Sequence, residues 1–462
     1  RTLHSIAFRL LGLNTHAMFD GHKLKEFANT FKYKFSDDAL DKDIFQQDIV
    51  DMGIGTEADA YLAFDDWRKN RLILDMDIAI SEFTKNHFEL PRDFSPRALK
   101  LFLQRKEEWK SKEGVWEFSD LLLKVFQDKI PLDVDFVTID EAQDLSPLLH
   151  AVVEIWSRNA KEVYLLGDTN QAIYSFMGAD PSMMLNWQRD EDIVLRQSYR
   201  CSQAVHDLSR KVTARMKARY SDDDFLPTPS EGLVSKVSLP KLNFDGDGVT
   251  YLATRTRYLL DKHYDYLLSK GIPFTVKRGK HSPLDKSEKE AVYRLYQLSE
   301  GDSITLGELN KLIKFIPQGP YLKRGAKAGI TERVKDNPEH KISKVSLPAL
   351  GFTPDFVYLL DSGEYTEVLK LTPEEKRYYR VLLKKHGVQA LVDEPKVVLG
   401  TCHSFKGLEC DRMVLDLTMT RLPYESLLQH GDEEHRIFYT AVTRAKTEVN
   451  LLLSDDWKAY PL

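Results

Sequence analysis

Residues 137–147 read VTIDEAQDLSP, an apolar segment that ends on two adjacent acids. Residues 136–139 are typical of a buried β-strand, because β-branched and aromatic residues favour strands. Asp140 and Glu141 follow at once. Ligands of parallel α/β sheets bind at the carboxyl ends of strands, so the segment predicts a functional acid pair at a sheet edge. The alternative is that the two acids begin a helix, where Asp and Glu are also favoured. From this segment alone, both interpretations remain open.

Five other segments are apolar runs that end on, or directly before, a polar or turn-like residue. They are VYLLGD (163–168), VTYLAT (249–254), VVLGT (397–401), MVLDL (413–417) and VNLLL (449–453). Helical patterns lie between them. Strands that alternate with helices predict an α/β fold with parallel sheets. Residues 13–115 are rich in charged and aromatic residues with helical periodicity, and residues 281–392 are polar and mixed. We expect both to be inserted subdomains.

The composition of the 462-residue chain is that of an ordinary globular protein, with 42% hydrophobic and 29% charged residues. A formal net charge of −6 argues against a protein that coats nucleic acid through bulk positive charge, while a local basic groove is compatible with it. The three cysteines are too few for a disulfide framework and are not spaced like metal ligands. No apolar run approaches the roughly 20 residues of a membrane span, and no signal peptide is visible. We therefore expect no membrane partner and a cytoplasmic location.

Residues 165–179 read LLGDTNQAIYSFMGA, a second strand end followed by a polar and aromatic loop. The amide of Gln171 is suited to sensing a γ-phosphate. Tyr174 and Phe176 are suited to stacking on the bases of a single strand. The alternative is that both rings belong to the core, where most aromatic residues lie.

Three further segments offer groups that suit a nucleotide. In VLRQSYRCS (194–202), Tyr199 offers a ring for adenine and Arg200 a guanidinium for phosphate. VVLGTCHSFKGLEC (397–410) is a strand followed by a loop of small and polar residues around Gly407. DEEHRIFYTAVTRAK (432–446) predicts a helix with Arg444 on one face, the arrangement of an arginine finger. The alternative for each arginine is a surface salt bridge, which is the usual role of this residue type.

These segments together resemble one family. IDEAQD, GDTNQAIYSFMGA, LRQSYR, GTCHSFKGLE and FYTAVTRAK are similar, in this order, to motifs II to VI of the UvrD/Rep-like superfamily 1 DNA helicases. The opening RTLHSIAFRLLG resembles the family's segment before its first insert. The resemblance covers nearly the whole chain. It implies an α/β fold with two RecA-like parallel-sheet domains and ATP between them, each domain interrupted by a mainly helical inserted subdomain.

The resemblance also implies domain boundaries and residue roles. The expected boundaries are 1–12 and 116–190 for the first RecA-like domain, 13–115 for its insert, 191–280 and 393–462 for the second domain, and 281–392 for its insert. Asp140 is similar to the Mg²⁺ ligand, Glu141 to the catalytic base and Gln171 to the γ-phosphate sensor. The other nucleotide contacts implied are Tyr199 on adenine, Arg200 and Arg444 on the transferring phosphoryl group, Glu409 on a ribose hydroxyl, and Gly407 as a further nucleotide-binding residue. The implied contacts with single-stranded DNA are Thr2, His4, Tyr174, Phe176, Thr401 and His403.

The sequence departs from the family at the phosphate-binding loop. The family needs a GxxGxGK[ST] loop, whose backbone N–H groups and Lys hold the phosphates. The broader pattern GxxxxGK[ST] does not occur in this sequence, and the segment that should follow the loop is residues 2–4. One explanation is an N-terminally truncated helicase whose first RecA-like domain is incomplete. The other is a protein that has lost the loop. In addition, Phe176 stands where the family usually has Trp, so we expect weaker base stacking.

The sequence therefore predicts an ATP-dependent 3′→5′ single-stranded-DNA translocase and helicase. Its expected cofactors are ATP and Mg²⁺, and its expected partners are single-stranded DNA and junctions of single- and double-stranded DNA. In a bacterium it would be associated with the nucleoid, and in a eukaryote it would be nuclear. The alternative is a non-hydrolysing DNA-binding or scaffolding protein derived from such a helicase.

Overall fold

The computed structural model describes most of the chain. The described residues are 2–36, 38–40, 56–86, 90–91, 94–218, 225–277, 283–284, 286–429, 431–454 and 456–462. The predicted boundary at residues 280 and 281 lies outside them. Among the helices of these residues, none combines the length and the apolar character that a membrane span requires.

Seventeen α-helices lie within the described residues. They are α1 (Leu3–Leu10), α2 (Gly21–Phe31), α3 (Glu57–Asn70), α4 (Met76–Asn86), α5 (Pro96–Glu113), α6 (Phe118–Asp128), α7 (Pro147–Ser157), α8 (Pro181–Leu185), α9 (Gln203–Thr213), α10 (Leu260–Lys270), α11 (Lys286–Ser299), α12 (Leu306–Leu312), α13 (Ala326–Asp336), α14 (Pro354–Asp361), α15 (Pro373–His386), α16 (Arg421–Gln429) and α17 (Gly431–Val442). Many begin with a side-chain cap; Thr56, Ser95 and Ser146, for example, each accept a hydrogen bond from a backbone N–H of the first turn.

The described residues contain ten strands in three sheets. The strands are β1 (Phe136–Ile139), β2 (Glu162–Leu165), β3 (Leu233–Val237), β4 (Thr250–Thr254), β5 (Phe274–Val276), β6 (Ile304–Thr305), β7 (Lys341–Ile342), β8 (Val397–Thr401), β9 (Cys410–Asp416) and β10 (Ala445–Leu452). β1 and β2 form a parallel pair, six strands form a parallel sheet in the order β3-β10-β9-β4-β8-β5, and β6 and β7 form a short antiparallel pair. The parallel sheets with many helices confirm the predicted α/β class and agree with two RecA-like domains.

The chain forms two compact units. Unit 1 comprises residues 1–229 and 419–443 together with Leu462, and unit 2 comprises residues 230–418 and 444–461. These bounds follow the contacts within each unit and differ from the boundaries expected from the sequence. They assign residues 191–229 and 419–443 to the unit that contains β1 and β2. The domain boundaries inferred from the family therefore remain a prediction.

Unit 1 has separate cores for its helical insert and for the region around β1. The insert core contains Phe27, Phe64, Phe83 and Phe102, all fully buried. A second core is formed by α1, α6 and α7 and includes the buried Trp156. Backbone hydrogen bonds continue past the end of β1, where Leu166 N donates to Ile139 O at 2.8 Å and Ala142 N donates to Leu166 O at 2.8 Å. These bonds hold the chain segments that follow β1 and β2 side by side.

Unit 2 is built around the six-stranded sheet. All five residues of β4 are buried, as expected for an inner strand of a parallel sheet covered on both faces. One continuous core connects this sheet to helices α10–α15 and includes Leu252, Leu309, Phe352 and Tyr378. Strands β8 and β9 are anchored in this core through Leu399 and Val414.

One sequence-based interpretation is wrong. Residues 432–446 were expected to form one helix, but α17 ends at Val442 and β10 begins at Ala445. Arg444 therefore follows the helix instead of lying on it. The reason is tertiary: β10 pairs with both β3 and β9, and this pairing outweighs the helical pattern of the last residues.

Candidate functional site

The acid pair lies in a strained turn at the end of β1. Asp140 and Glu141 are both exposed, and Asp140 Oδ1 accepts a hydrogen bond from Glu141 N at 3.0 Å. Glu141 has φ +55° and ψ +40°, the left-handed conformation that residues other than glycine rarely adopt. Such strain occurs often at functional sites, where neighbouring structure maintains it. The alternative that the pair begins a regular α-helix does not apply, because only a short 3₁₀ turn, Ala142–Asp144, follows.

Asp168, in the loop after the neighbouring strand β2, is the centre of a hydrogen-bond network. Its Oδ1 accepts from Asn170 N at 2.9 Å, and its Oδ2 accepts from the side-chain amide of Gln171 at 2.7 Å. The Gln171 amide, expected to sense a phosphate, is thus held by a carboxylate in this structure. Gln171 lies in a 3₁₀ turn, Thr169–Gln171, in the loop that follows β2.

Gln143, which was not predicted as a site residue from the sequence, joins the segments that follow the two strands. Its side chain is fully buried. Its amide nitrogen donates to Glu141 Oε2, and its amide oxygen accepts from Asp168 N at 3.1 Å. Gly167 makes room for this contact, since a Cβ there would overlap Gln143 Oε1 and lie 2.8 Å from Met184 Sδ. The signal in the sequence was a polar residue within the acid motif, but only the fold shows that it faces a loop 25 residues away.

Helix α17 contacts the same loop at two points. Tyr439 Oη donates to Asp168 Oδ2 at 3.2 Å, and Ser175 Oγ donates to Glu433 Oε1 at 2.5 Å. Tyr439 is buried. From the sequence, this helix was expected at the site through Arg444, and these two contacts were not predicted.

Tyr199 and Arg200 differ in exposure. The Tyr199 ring is 91% exposed, so it is accessible for stacking. Arg200 is partly buried, and its Nη1 lies 3.4 Å from the carbonyl oxygen of Thr443, which it can weakly donate to. The turn that presents both residues is held by Ser198 Oγ, which accepts from Arg200 N and Cys201 N at 3.2 Å each.

The candidate DNA contacts of unit 1 already make contacts within the protein. Thr2 caps α1, with its Oγ1 accepting from Ser5 N at 3.2 Å. His4 packs edge-on against Phe118 at a ring distance of 5.7 Å, and burial lowers the pKa of His4 to about 4. Tyr174 and Phe176 pack against each other at 6.1 Å and are both partly exposed. The two rings are therefore neither fully buried core residues nor a fully open stacking surface.

The remaining candidates lie in unit 2, around the loop after β8. Thr401 ends β8, and its Oγ1 accepts from Ser404 N at 3.3 Å. His403 is buried in the turn that follows. Gly407 has φ +76° with open space where a Cβ would lie. Glu409 forms a 2.7 Å ion pair with Lys446.

Arg444 lies against the end of this loop. It is buried, and its Nη1 is 3.5 Å from Leu408 O. Its own carbonyl oxygen accepts from Cys410 N at 3.0 Å. Unit 2 thus brings Arg444 together with the Thr401–Cys410 segment, while unit 1 brings Asp140 and Glu141 together with Gln171.

Two family models match the chain. The model of the UvrD/REP helicase N-terminal domain matches residues 1–192, and that of the UvrD-like helicase C-terminal domain matches residues 366–455. Together the two matches cover more than half of the chain. The chain belongs to the UvrD/Rep-like helicase family.

Curated helicases are similar to this UvrD/Rep-like chain over most of its length. "ATP-dependent DNA helicase UvrD2" of Mycobacterium tuberculosis is 26% identical over 382 residues, which cover 72% of this chain and 51% of the relative. "Putative ATP-dependent DNA helicase YjcD" of Bacillus subtilis is 23% identical over 538 aligned positions, covering 97% of this chain and 68% of the relative. "Probable DNA helicase II homolog" of Mycoplasma capricolum is 24% identical over 69% of this chain and 55% of the relative. The chain spans about half to two thirds of the length of these relatives.

A buried cluster of charges lies outside the motifs of this UvrD/Rep-like chain. Lys69, Lys106 and Lys110 contact Asp65, Glu117 and Asp120 at distances between 2.5 and 2.8 Å. Burial alone would raise the pKa of Glu117, but the three lysines hold it well below its ordinary value. Carboxylates of Asp65, Glu107 and Glu117 lie close enough to hold a cation. The lysine ammonium groups already neutralise these acids, so we interpret the cluster as a network of ion pairs.

Proposed function

We propose that this chain carries the hydrolytic and strand-binding parts of an ATP-dependent DNA helicase that moves 3′→5′ along single-stranded DNA. Family membership supports the reaction class, and the direction rests on the resemblance of motifs II to VI. The observation that carries the proposal is the strained acid pair at the end of β1. Its Glu141 is connected through Gln143 and Asp168 to Gln171.

The acid pair has the chemistry that ATP hydrolysis requires. Carboxylate oxygens are preferred ligands of Mg²⁺, and Asp140 offers one that is exposed at the ligand edge of the sheet. Bound Mg²⁺ supplies positive charge to the phosphates of ATP. Glu141 would orient the attacking water and accept its proton. Gln171 would exchange its bond to Asp168 for one to the γ-phosphate, and Arg200 and Arg444 would stabilise the charge on the transferring phosphoryl group.

Other residues of the proposal bind the nucleoside and the strand. The exposed ring of Tyr199 would stack on adenine, and Glu409, beside Gly407, would accept a hydrogen bond from the ribose. The proposed contacts with DNA are Thr2, His4, Tyr174, Phe176, Thr401 and His403. Junctions of single- and double-stranded DNA are the proposed substrates. The proposed location is with the DNA, at the bacterial nucleoid or in a eukaryotic nucleus.

A second candidate function is DNA binding or scaffolding without hydrolysis. It is favoured by one sequence observation: the pattern GxxxxGK[ST], whose backbone and Lys hold the phosphates in this family, does not occur in residues 1–462. The acid pair, Gln171 and the two arginines favour the first candidate, because a protein that does not hydrolyse ATP has no chemical use for this set.

Hydrolysis of ATP by this chain, with Mg²⁺ and with or without an oligothymidine strand, distinguishes the two candidates. Strand-stimulated turnover that is lost in Glu141→Gln would support the helicase. Strand binding that persists without any turnover of ATP would support the second candidate. Translocation direction is then tested with a streptavidin block placed at the 3′ or the 5′ end of the strand. Displacement from the 5′ end alone agrees with 3′→5′ movement, and displacement from the 3′ end contradicts it.

A further inference from the structure

Gln143 is a buried polar residue with a defined donor and a defined acceptor. Its amide nitrogen faces the Glu141 carboxylate, and its amide oxygen faces the N–H of Asp168. The opposite orientation would place the oxygen against a carboxylate and the NH₂ group against a donor, so only one orientation satisfies both neighbours. Gln143 therefore connects the turn after β1 with the loop after β2 in a specific way.

Asp168 extends this connection toward helix α17. Every described contact of its carboxylate comes from a donor: Asn170 N on Oδ1, and the Gln171 amide and Tyr439 Oη on Oδ2. Tyr439 is buried on α17 and is held there by the packing of α17 against α9. A continuous chain of hydrogen bonds thus runs from Glu141 through Gln143 and Asp168 to Tyr439.

Helix α17 is well placed to transmit a displacement through this chain. Its Glu433 accepts from Ser175, which lies between Tyr174 and Phe176, so the helix is attached to this loop both at Asp168 and between the two aromatic residues. Just after its C-terminus, the carbonyl oxygen of Thr443 lies within reach of Arg200 and of the Cys201 thiol. A shift of α17 would therefore change the surroundings of Asp168 directly.

We propose that Gln143, Asp168 and Tyr439 are positioning residues that fix the Glu141 carboxylate relative to helix α17. We call this set the α17 relay. The role of Glu141 as the base rests on the proposed function, while the relay itself rests only on the hydrogen bonds. Misplacement of a catalytic group by about 1 Å costs on the order of a hundredfold in rate, so a relay of this kind can control turnover.

Hydrogen–deuterium exchange tests the relay without requiring ATP turnover. Tyr439→Phe removes only the hydroxyl group that binds Asp168, and Gln143→Met removes both amide bonds at similar side-chain length. We expect each variant to speed exchange in two segments, residues 141–145 and 167–172, on the order of three- to tenfold, and the double variant to match the faster single variant. Tyr61→Phe, which deletes a buried hydroxyl in the insert of the same unit, should change neither segment.

Two results would overturn the relay. One is an unchanged exchange rate at residues 141–145 in Tyr439→Phe, since Tyr439 would then be uncoupled from the turn that holds Glu141. The other is a double variant whose effect is the product of the two single effects. A normal melting temperature in each variant ensures that neither result reflects loss of folding.

The kinetic parameters kcat and KM then show whether Gln143 and Tyr439 position the catalytic group or help to bind ATP. If the chain hydrolyses ATP, we expect Tyr439→Phe and Gln143→Met to lower kcat by roughly tenfold or more with KM for ATP unchanged. An unchanged kcat would overturn the positioning role. Coupled exchange in a chain that shows no turnover would contradict the proposed function but would support the relay, so failure of one is distinguishable from failure of the other.

Discussion

Glu141 combines a left-handed backbone with an exposed carboxylate. A residue with a Cβ pays about 1–2 kcal/mol for this conformation, and surrounding hydrogen bonds help to maintain it. They include Ala142 N to Leu166 O at 2.8 Å and Asp144 N to Glu141 O at 2.9 Å. The sequence predicted that two acids follow β1, because strand patterns and strand ends are local. It did not predict the turn or the role of Gln143, since both depend on a loop that is distant in sequence.

The left-handed backbone at position 141 predicts that glycine is more stabilising there than alanine. Glu141→Gly and Glu141→Ala both remove the carboxylate, but glycine adopts φ +55° without a steric penalty. We expect the glycine variant to be more stable than the alanine variant by about 1 kcal/mol. Urea unfolding followed by tryptophan fluorescence measures the difference, since five of the six tryptophans lie in unit 1.

Thr138 is the matched control for this comparison. It is exposed in the middle of β1, where glycine is less favourable than alanine. At position 138 the alanine variant should therefore be more stable than the glycine variant, the reverse of the order at position 141. An alanine variant that is the more stable one at both positions would show that the backbone of Glu141 is not strained.

Asp66 predicts a dependence of stability on pH. Burial and the nearby Glu117 carboxylate raise the pKa of Asp66 from its ordinary value of 3.8 to about 6. Between these two values the folded chain binds a proton that the unfolded chain releases, so this residue's contribution to stability falls as pH rises from about 4 to 6. Asp66→Asn keeps an acceptor for the Asn70 amide and does not titrate.

We therefore expect Asp66→Asn to gain stability relative to the natural chain as pH rises through this window, with no further change above it. Urea midpoints at pH 4, 5, 6 and 7 test this. A difference between the two proteins that stays constant across the series would contradict the raised pKa.

Helices α3, α5 and α6 are joined by the buried charge cluster. Lys106 is 1% exposed and contacts Asp65 at 2.7 Å and Glu117 at 2.6 Å. Glu117 lies directly before α6, so the cluster connects the insert with the region around β1. From the sequence, such lysines and acids suggest a solvated helix face. Their burial depends on three helices meeting, which a local pattern does not show.

Lys106→Met should destabilise unit 1 strongly. The methionine fills similar space but leaves the buried carboxylates of Asp65 and Glu117 with one cation fewer, which typically costs about 3–5 kcal/mol. Lys100→Met on the same helix is the control. Lys100 pairs with Asp77 at the surface, where loss of an ion pair changes stability by roughly 0.5 kcal/mol or less. Equal urea midpoints for the two variants would contradict a role of the cluster in stability.

The strands are the part of the fold that short stretches of sequence predict best. Six apolar runs were predicted as strands, and each corresponds to one: β1, β2, β4, β8, β9 or β10. The hexapeptide SKVSLP shows the limit, since it occurs at 235–240 and at 343–348. In the first copy Ser235–Val237 belongs to β3 and pairs with β10, whereas in the second Lys344–Ser346 forms a 3₁₀ turn. The same hexapeptide forms a strand in one copy and a 3₁₀ turn in the other. Pairing with a neighbouring strand therefore determines its secondary structure.

At the scale of the whole molecule, the insert core of unit 1 and the core of unit 2 consist of different residues. Phe83 is fully buried in the insert core of unit 1, where it packs against Phe64 and Trp67 at ring distances of 5.2 and 5.4 Å. Phe352 is 1% exposed in the core of unit 2, at 4.5 Å from Phe356. The alternating pattern predicted parallel α/β sheets and two inserted segments, and the resemblance to the helicase family implied two RecA-like domains. It did not predict the bounds of the units, because these depend on which segments contact each other.

Separate cores predict separate unfolding. Phe83→Ala and Phe352→Ala each leave a cavity that costs about 3–5 kcal/mol, but in different units. Differential scanning calorimetry should detect the loss of stability in both variants. Tryptophan fluorescence should detect mainly the first, because Trp457 is the one tryptophan outside unit 1. If instead both substitutions move the fluorescence and calorimetric transitions by the same amount, the two units unfold together and their cores are not energetically independent. The expected result is a fluorescence midpoint that falls in Phe83→Ala and stays within error of the natural chain in Phe352→Ala.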